Sequence, residues 1–120
     1  MTTNTDTLCV DTGLRRCFGK ASLYRQLLQR YLSQHATMPE QLADMYAREP
    51  ALAARQAHSL ISTAGSLGAL GLCQLAAALE AAIEQGQMER TLALMQALAL
   101  EHNALCVAAG RYLSAPHASP

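Results

Sequence analysis

One histidine lies among small residues in the segment 57–68, whose sequence is AHSLISTAGSLG. A neutral imidazole is nucleophilic near pH 7, since the reference pKa of histidine is about 6.5, so an accessible histidine can take up a chemical group and pass it on. Glycine in a helix interior lowers stability by roughly 0.5 to 1 kcal/mol relative to alanine. The segment therefore raises the question of what a helix gains by surrounding His58 with small residues.

The helix predicted around His58 has an apolar core stripe, because small and branched apolar residues recur every three or four positions at Ala53, Ala57, Leu60, Ala64 and Leu67. His58 follows Ala57 and so lies about 100° round the helix from the stripe. The neighbours on that side, within two turns, are Ala54, Arg55, Ile61, Ser62 and Gly65. We expect the imidazole to stand above a shallow surface that another protein can approach. An ordinary boundary histidine beside tightly packed helices would have the same spacing.

The composition favours a helical domain without nucleic-acid or membrane functions. The chain has 120 residues, 51% of them apolar and 15% charged, and nine basic residues balance nine acidic ones. This length suits one domain, and no run of basic residues indicates a nucleic-acid partner. No apolar run approaches the roughly 20 residues that cross a bilayer, and the N-terminus does not resemble a secretory signal. We therefore expect a cytoplasmic protein.

The hydrophobic periodicity predicts an all-α fold, an antiparallel up-down four-helix bundle with one or two short additional N-terminal helices. The predicted domain covers residues 9–113, between flexible tails at 1–8 and 114–120. Asp11 is the predicted cap of a first helix that ends near Cys17 and is closed by Gly19. Ser22 is the predicted cap of the second helix. The sequence TMPE at 37–40 predicts a capping box for the third.

The later helices are predicted from proline and glycine positions. Pro50 begins the helix that carries His58, and a break near Gly68 separates it from the next helix, which Gly86 ends. The last helix extends from about residue 87 to residue 113. Short connections between these helices imply antiparallel neighbours.

The remaining cysteines and histidines indicate no second site. The four cysteines are widely spaced: Cys9, Cys17, Cys73 and Cys106. They could form two disulfides, but reduced thiols are the preferred interpretation. Their spacing does not fit a zinc site. His35 is predicted near a helix end, His102 on an apolar stripe and His117 in the tail. No set of these residues predicts a metal site.

The segment AHSLISTAGSLGA resembles the phosphorylation motif of histidine-containing phosphotransfer (HPt) domains. The family pattern is histidine, any residue, an apolar residue, lysine, glycine, then small residues and a glycine ten places after the histidine. The matching residues are His58, Leu60, Ala64, Gly65, Leu67 and Gly68. The resemblance extends over about residues 8 to 113, through GLRRCFGKASLYRQLLQRYL before the motif and LGLCQLAAALEAAIEQG after it.

This resemblance implies a phosphocarrier. The Nε2 atom of His58 would take a phosphoryl group from an aspartyl phosphate on a receiver domain and pass it to another receiver. The receiver supplies Mg²⁺ and the acidic pocket, so no cofactor of the chain's own is expected. No sequence motif indicates an ATP site, so the chain is not expected to phosphorylate itself. The implied partners are receiver domains of response regulators or a hybrid sensor histidine kinase, and the implied state is a monomer.

The resemblance also implies supporting residues. Glu80 occupies the family's place for Gln or Glu, 22 residues after the histidine, where it would bind Nδ1–H and leave Nε2 free; a solvated surface carboxylate is the alternative. Ile61 replaces the family's lysine and Ser62 replaces its glycine. Arg55 then becomes the candidate cation near the phosphoryl group. We expect these departures to narrow the partner range or slow transfer, so Ile61→Lys should alter rates or receiver choice.

Other hypotheses remain open on sequence alone. A domain of the same fold could dock a receiver or kinase with weak or no phosphotransfer, because the motif departs from the family pattern at residues 61 and 62. An unrelated helical scaffold would require the extended resemblance to be accidental. The initiating methionine and the tail-like ends predict a free-standing protein, although a domain of a hybrid kinase could have the same sequence.

Overall fold

The computed structural model describes residues 4–115 and is all-helical, which confirms the predicted fold class. The helices within this range are α1 Val10–Arg16, α2 Ala21–Gln34, α3 Met38–Arg48, α4 Pro50–Leu67, α5 Leu70–Glu84 and α6 Met88–Ser114. Outside the helices, the described residues form one isolated β-bridge, between Asn4 and Cys9.

The helices form a bundle with four helix positions, and α2 and α3 together occupy one of them. Both helices contact α4 and α6. The start of α2 lies at the end of α4, since the Tyr24 hydroxyl donates a hydrogen bond of 2.8 Å to the Leu67 carbonyl. Glu49 is the only residue between α3 and α4, and this short connection makes α3 antiparallel to α4. The hydrogen bond from Tyr24 to Leu67 indicates that α2 is also antiparallel to α4. Helices α4, α5 and α6 occupy the other three positions, and the short α1 packs against α4.

The core is built from leucine, alanine and two tyrosines. The predicted stripe on α4 is buried at every position: Ala53, Ala57, Leu60, Ala64 and Leu67. It faces a second stripe on α5 that is also fully buried: Leu72, Ala76 and Leu79. Alanines in both stripes let the two helix axes approach closely, and this packing fixes which side of α4 remains exposed.

Two predicted helix caps are wrong. The N-cap of α1 is Cys9 rather than Asp11, and the N-cap of α2 is Lys20 rather than Ser22. The backbone N–H of Cys9 donates a 2.7 Å hydrogen bond to the Gly68 carbonyl, and this tertiary contact fixes the chain two residues before Asp11. Thr37 is the N-cap of α3 as predicted, but its side chain makes no capping hydrogen bond.

The end of α1 also differs from the prediction, because Phe18 and not Gly19 is the first residue with a positive φ. Phe18 has a φ of 55°. The Phe18 N–H donates to the Arg15 carbonyl and the Gly19 N–H to the Leu14 carbonyl, at 3.1 and 2.8 Å, which is the Schellman arrangement. Glycine is usual at this position, since a left-handed conformation costs about 1–2 kcal/mol with a side chain present. The side chain of Phe18 is 87% exposed, so burial does not offset that strain.

The segment before α1 packs against the α4–α5 turn, whereas a flexible tail was expected over residues 1–8. Leu8 is buried, and the Asp6 carbonyl accepts a 2.6 Å hydrogen bond from the Gly71 N–H. The turn permits this because Gly68 has a φ of 79° and a Cβ there would lie 2.1 Å from the Cys9 carbonyl oxygen. At the other end, α6 extends to Ser114. Residues 1–3 and 116–120, with the predicted tail position of His117, lie outside the described part of the chain.

Helix α6 is long and apolar enough to cross a membrane by length and composition. The sequence interpretation had expected no such segment. This is weak evidence for a membrane span, because a core helix of a helical bundle satisfies the same test. In the bundle, α6 contributes Leu98, Leu105 and Ala109 to the core.

The core contains one polar pair, formed by His102 on α6 and Tyr31 on α2. The Nδ1 atom of His102 lies 2.6 Å from the Tyr31 hydroxyl, and its Nε2 atom lies 3.5 Å from the Cys106 sulfur. His35, at the end of α2 as predicted, stacks on the ring of Tyr31 at 4.6 Å. Burial lowers the pKa of both histidines. The four cysteines are free thiols, and Cys17 is the one that is fully buried.

Candidate functional site

His58 projects from the middle of α4 on a side that no other helix covers. Its side chain is 71% exposed, although its neighbours in the core stripe, Ala57 and Leu60, are buried. The contrast follows from helix geometry, because a residue about 100° from the stripe lies at the edge of the packed face. The structure therefore leaves the imidazole open to solvent.

Glu80 on α5 holds one nitrogen of the imidazole. The Nδ1 atom of His58 lies 2.9 Å from Oε2 and 3.2 Å from Oε1 of Glu80. The Glu80 side chain is only 23% exposed, because it leaves α5 beside the buried Leu79. A carboxylate can only accept a hydrogen bond, so Nδ1 carries a proton and donates the hydrogen bond to Glu80. In a neutral imidazole, the lone pair is then on Nε2.

The Nε2 atom of His58 has no hydrogen-bond partner among residues 4–115. This arrangement is what a nucleophilic imidazole needs, since one nitrogen is fixed in its tautomer and the other is directed at solvent. The structure thus brings together the two residues that the sequence paired across 22 positions. Their roles in phosphotransfer stay a prediction.

An open groove lies between the first half of α4 and the second half of α5, beside His58. The residues that line it are Pro50, Ala51, Ala54, Arg55, His58, Ser59, Glu80, Ile83 and Glu84. Ala54 was expected on the docking surface, but it is only 7% exposed. It packs against the core and forms part of the floor of the groove, so it offers a partner little surface.

The two departures from the family motif occupy different environments. Ile61 is half-buried and packs against the core, and its backbone carbonyl accepts a 3.4 Å hydrogen bond from the Cys73 thiol. Ser62 is exposed, one turn after His58, and Gly65 is half-buried a turn further on. The surface beyond His58 is therefore shallow, as predicted, but Ile61 is turned partly inward and adds little to it.

Arginines from three helices border the exposed side of α4. Arg55 is exposed and makes no ion pair within the described range. Arg16 on α1 reaches over Gly65, where its Nη2 atom lies 3.9 Å from the position a Cβ would take. Arg30 on α2 lines a second groove together with Ser62, Thr63 and Ser66. The sequence identified Arg55 alone, because the other two are close to α4 only through tertiary packing.

The neutral chain divides its charge across α4. Residues 12–39 contain five basic residues and no acidic one: Arg15, Arg16, Lys20, Arg25 and Arg30. Of these, Arg16 reaches over Gly65 and Arg30 lines a groove with Ser62, whereas Arg25 donates a 3.0 Å hydrogen bond to the Leu113 carbonyl on α6. Glu80 and Glu84 lie on the other side, on α5. An overall charge of zero therefore conceals two arginines beside the second half of α4, Arg16 and Arg30.

Within residues 4–115, no three His, Cys, Asp or Glu side chains cluster in a way that could hold a metal ion. His102 is buried in the core and His35 is half-buried beside it, so His58 is the exposed histidine of the described chain.

Fold and site together define a helical-bundle domain that presents one exposed histidine, oriented by a carboxylate, on an open helix face. The family model described as the Hpt domain matches residues 23–108, which is more than half of the chain. The chain therefore belongs to the Hpt domain family. Comparisons with curated proteins and with solved structures gave no significant match.

Membership of this family implies histidine phosphotransfer in two-component signalling. Hpt domains are phosphocarrier modules rather than classical enzymes, they are typically soluble, and they interact with receiver domains or kinases. The matched residues include His58, Glu80 and both motif departures, but they begin after α1 and its C-terminal turn.

Proposed function

We propose that the protein is a phosphorelay intermediate, which accepts a phosphoryl group on His58 from the aspartyl phosphate of one receiver domain and passes it to another receiver. The observation that carries the proposal is the exposed Nε2 atom of an imidazole whose Nδ1 is held by Glu80 at 2.9 Å. The imidazole is then accessible to a partner, and in the tautomer that in-line attack requires, before the partner binds.

In the proposed step, the Nε2 lone pair attacks phosphorus. The P–N bond forms as the P–O bond to the aspartate breaks, and the aspartate leaves as a carboxylate. The proton stays on Nδ1, so the phosphorylated ring is cationic, and the Glu80 carboxylate stabilises that charge. Positioning is the main contribution of the carrier to phosphoryl transfer. The return step reverses these changes at a second receiver.

The charges of the phosphoryl group would be met from both partners. Mg²⁺ is proposed to reside on the receiver, and the carrier would need no cofactor and no ATP site of its own. Arg55 is the proposed cation on the carrier, one turn before His58, because the position of the family's lysine is the apolar Ile61. Ser62 would lie against the receiver and could donate a hydrogen bond to a phosphoryl oxygen.

The proposed partners are receiver domains of response regulators or a hybrid sensor histidine kinase. We further propose that the protein acts as a monomer in the cytoplasm. A single Nε2 atom can serve only one receiver at a time, so donor and acceptor receivers would bind in turn to the same face of α4.

The test mixes the purified protein with a panel of receiver domains charged by acetyl phosphate. We expect an acid-labile, alkali-stable label on the carrier, which is absent from His58→Gln and present on His102→Gln. Circular dichroism verifies that both variants are folded. Label that persists in His58→Gln would contradict the proposal.

A second candidate is a docking module of the same fold with weak or no phosphotransfer. It is favoured by one observation: Ile61 packs against the core and supplies no cation one turn after His58. Measurable binding of receivers by the wild-type protein, without label from any of them, would favour this function over a phosphorelay.

A further inference from the structure

An exposed aromatic residue with basic neighbours lies at the end of α1. Phe18 is the one phenylalanine of the chain and is 87% exposed, and it follows Arg15 and Arg16 and precedes Lys20. We call these four residues the α1 corner. Phe18 occupies a left-handed position that favours glycine, so the fold itself gains nothing from the aromatic side chain there. Phe18 is therefore a candidate for contact with another protein.

One member of the α1 corner, Arg16, lies beside the face of α4 that carries His58. Gly65 follows His58 by seven residues, which is two helical turns, so both face the same way and are about 10 Å apart along the axis. The Arg16 guanidinium lies over Gly65, at 3.9 Å from its would-be Cβ. A protein partner covers about 800 Å² per side, a patch roughly 30 Å across. A partner centred on His58 would therefore extend to Arg16, which Phe18 follows by two residues.

The charge of the α1 corner indicates which partner it fits. A receiver must hold Mg²⁺ beside its aspartyl phosphate, and Mg²⁺ is held in such sites by carboxylates, so the rim of a receiver's pocket is acidic. Arg16 and Arg30, which belong to a stretch with no acidic residue between positions 12 and 39, complement that rim. Exposed aromatic and arginine side chains are also the residues that most often dominate binding at protein interfaces.

We propose that Phe18 and Arg16 form a second anchor for the receiver, with Phe18 filling an apolar depression beside its acidic rim. This inference rests on the proposed phosphotransfer function and assigns its docking surface. The α1 corner precedes the residues that the Hpt family model matches, 23–108, so the anchor would belong to this chain's own means of choosing a partner.

The test uses Phe18→Gly and the receiver that labels His58 fastest. Glycine suits the left-handed position, so the melting temperature should rise by about 2–4 °C. The receiver concentration that gives half-maximal labelling should rise about tenfold, with a smaller effect on the maximal rate, and the dissociation constant of the complex should rise in parallel. The matched control is Leu100→Ala, since Leu100 is 72% exposed on α6, which does not contact α4. Its half-saturating concentration should equal that of wild type.

Arg16→Gln should raise the half-saturating concentration about threefold and flatten its dependence on salt, whereas the exposed Arg90→Gln on α6 should not. A Phe18→Gly variant that is more stable but saturates at the wild-type concentration would overturn the inference and leave the phosphotransfer function intact. Absence of label on the wild-type protein would instead remove the proposed function on which the inference depends.

Discussion

Two histidines of this bundle have opposite environments. His58 on α4 is 71% exposed, with Nδ1 on the carboxylate of Glu80 and no partner on Nε2 within the described residues. His102 on α6 is 3% exposed, with Nδ1 beside the Tyr31 hydroxyl and Nε2 beside the Cys106 thiol. Both lie in helix interiors, so secondary structure does not distinguish them.

The chemistry of each histidine therefore depends on whether its second ring nitrogen is covered or open. His102 has neutral groups near both nitrogens and no route to solvent, so it acts as a polar core residue. His58 has one nitrogen fixed and the other open, so it can act as a nucleophile. Four expected outcomes test this contrast between the two histidines.

The largest expected effect is on stability. His102→Ala should lower the free energy of unfolding by about 2–4 kcal/mol, because it leaves a cavity and removes the partner of the buried Tyr31 hydroxyl. His58→Ala should change it by less than about 0.5 kcal/mol, since the side chain is exposed. Urea denaturation monitored by circular dichroism measures both. Equal losses in the two variants would remove the distinction between a core and a surface histidine.

The next effect concerns the carboxylate that only His58 has. Glu80→Ala should slow labelling of His58 by about three- to tenfold, because the tautomer is no longer fixed and the cationic phosphorylated ring loses its partner. Glu80→Gln should retain more activity, since its amide oxygen can accept from Nδ1–H. Rates come from rapid-quench labelling at saturating receiver. Glu89→Gln, at the start of α6, is the control, and a Glu80→Ala rate equal to its rate would indicate a carboxylate without a role.

The third effect is a pH dependence that arises from the buried histidine. Burial lowers the pKa of His102, and also that of His35, below the value in the unfolded chain, near 6.5. The contribution of these two neutral histidines to the free energy of unfolding is therefore fully present above that value. It declines as pH falls below that value, because the unfolded chain takes up protons that the folded chain does not. The slope is at most about 1.4 kcal/mol per pH unit for one proton.

Calorimetric melting temperatures between pH 8 and pH 5 test this dependence. The decline on acidification should be shallower in His102→Gln than in the wild-type protein. A wild-type slope retained in His102→Gln would assign the acid sensitivity to other groups.

The smallest effect is expected at the residue that replaces the family's lysine. Ile61→Lys should speed labelling by about two- to threefold, or alter the choice of receiver, because an exposed cation gains only a modest interaction with the phosphoryl charge in water. Its cost is lost packing, since Ile61 is half-buried against the core. Rates across a receiver panel measure it, with Ile61→Met to separate packing from charge. Unchanged rates and unchanged receiver preference would show that the substitution is neutral.

Sequence reasoning predicted the fold well because the fold depends on periodicity. The all-α bundle, the buried stripe on α4 and the glycine that ends it at residue 68 were all predicted from spacing and from residue type. Helix starts were less predictable. Cys9 and Lys20 replace the expected caps Asp11 and Ser22, because a tertiary hydrogen bond from Cys9 to Gly68 fixes where α1 begins.

For the site, the sequence identified His58 and its partner Glu80, through the resemblance of the motif and its spacing. It did not identify Arg16, Arg30 or Phe18. A phenylalanine directly before the glycine at a predicted helix end was the available signal for Phe18, since large apolar residues are unusual there. No local pattern could bring Arg16 or Arg30 to α4, because they are distant from His58 in the chain.

Residue spacing alone predicted that this chain forms an amphipathic helical bundle with a histidine at the edge of one core stripe, since these features depend on residues one turn apart. Tertiary packing places Ala54 in the floor of a groove, buries His102 between α2 and α6, and brings Arg16 and Arg30 beside the second half of α4. Those facts depend on which helices meet and at what rotation. Side-chain volumes across the whole core set that rotation, so no single segment of the chain encodes it.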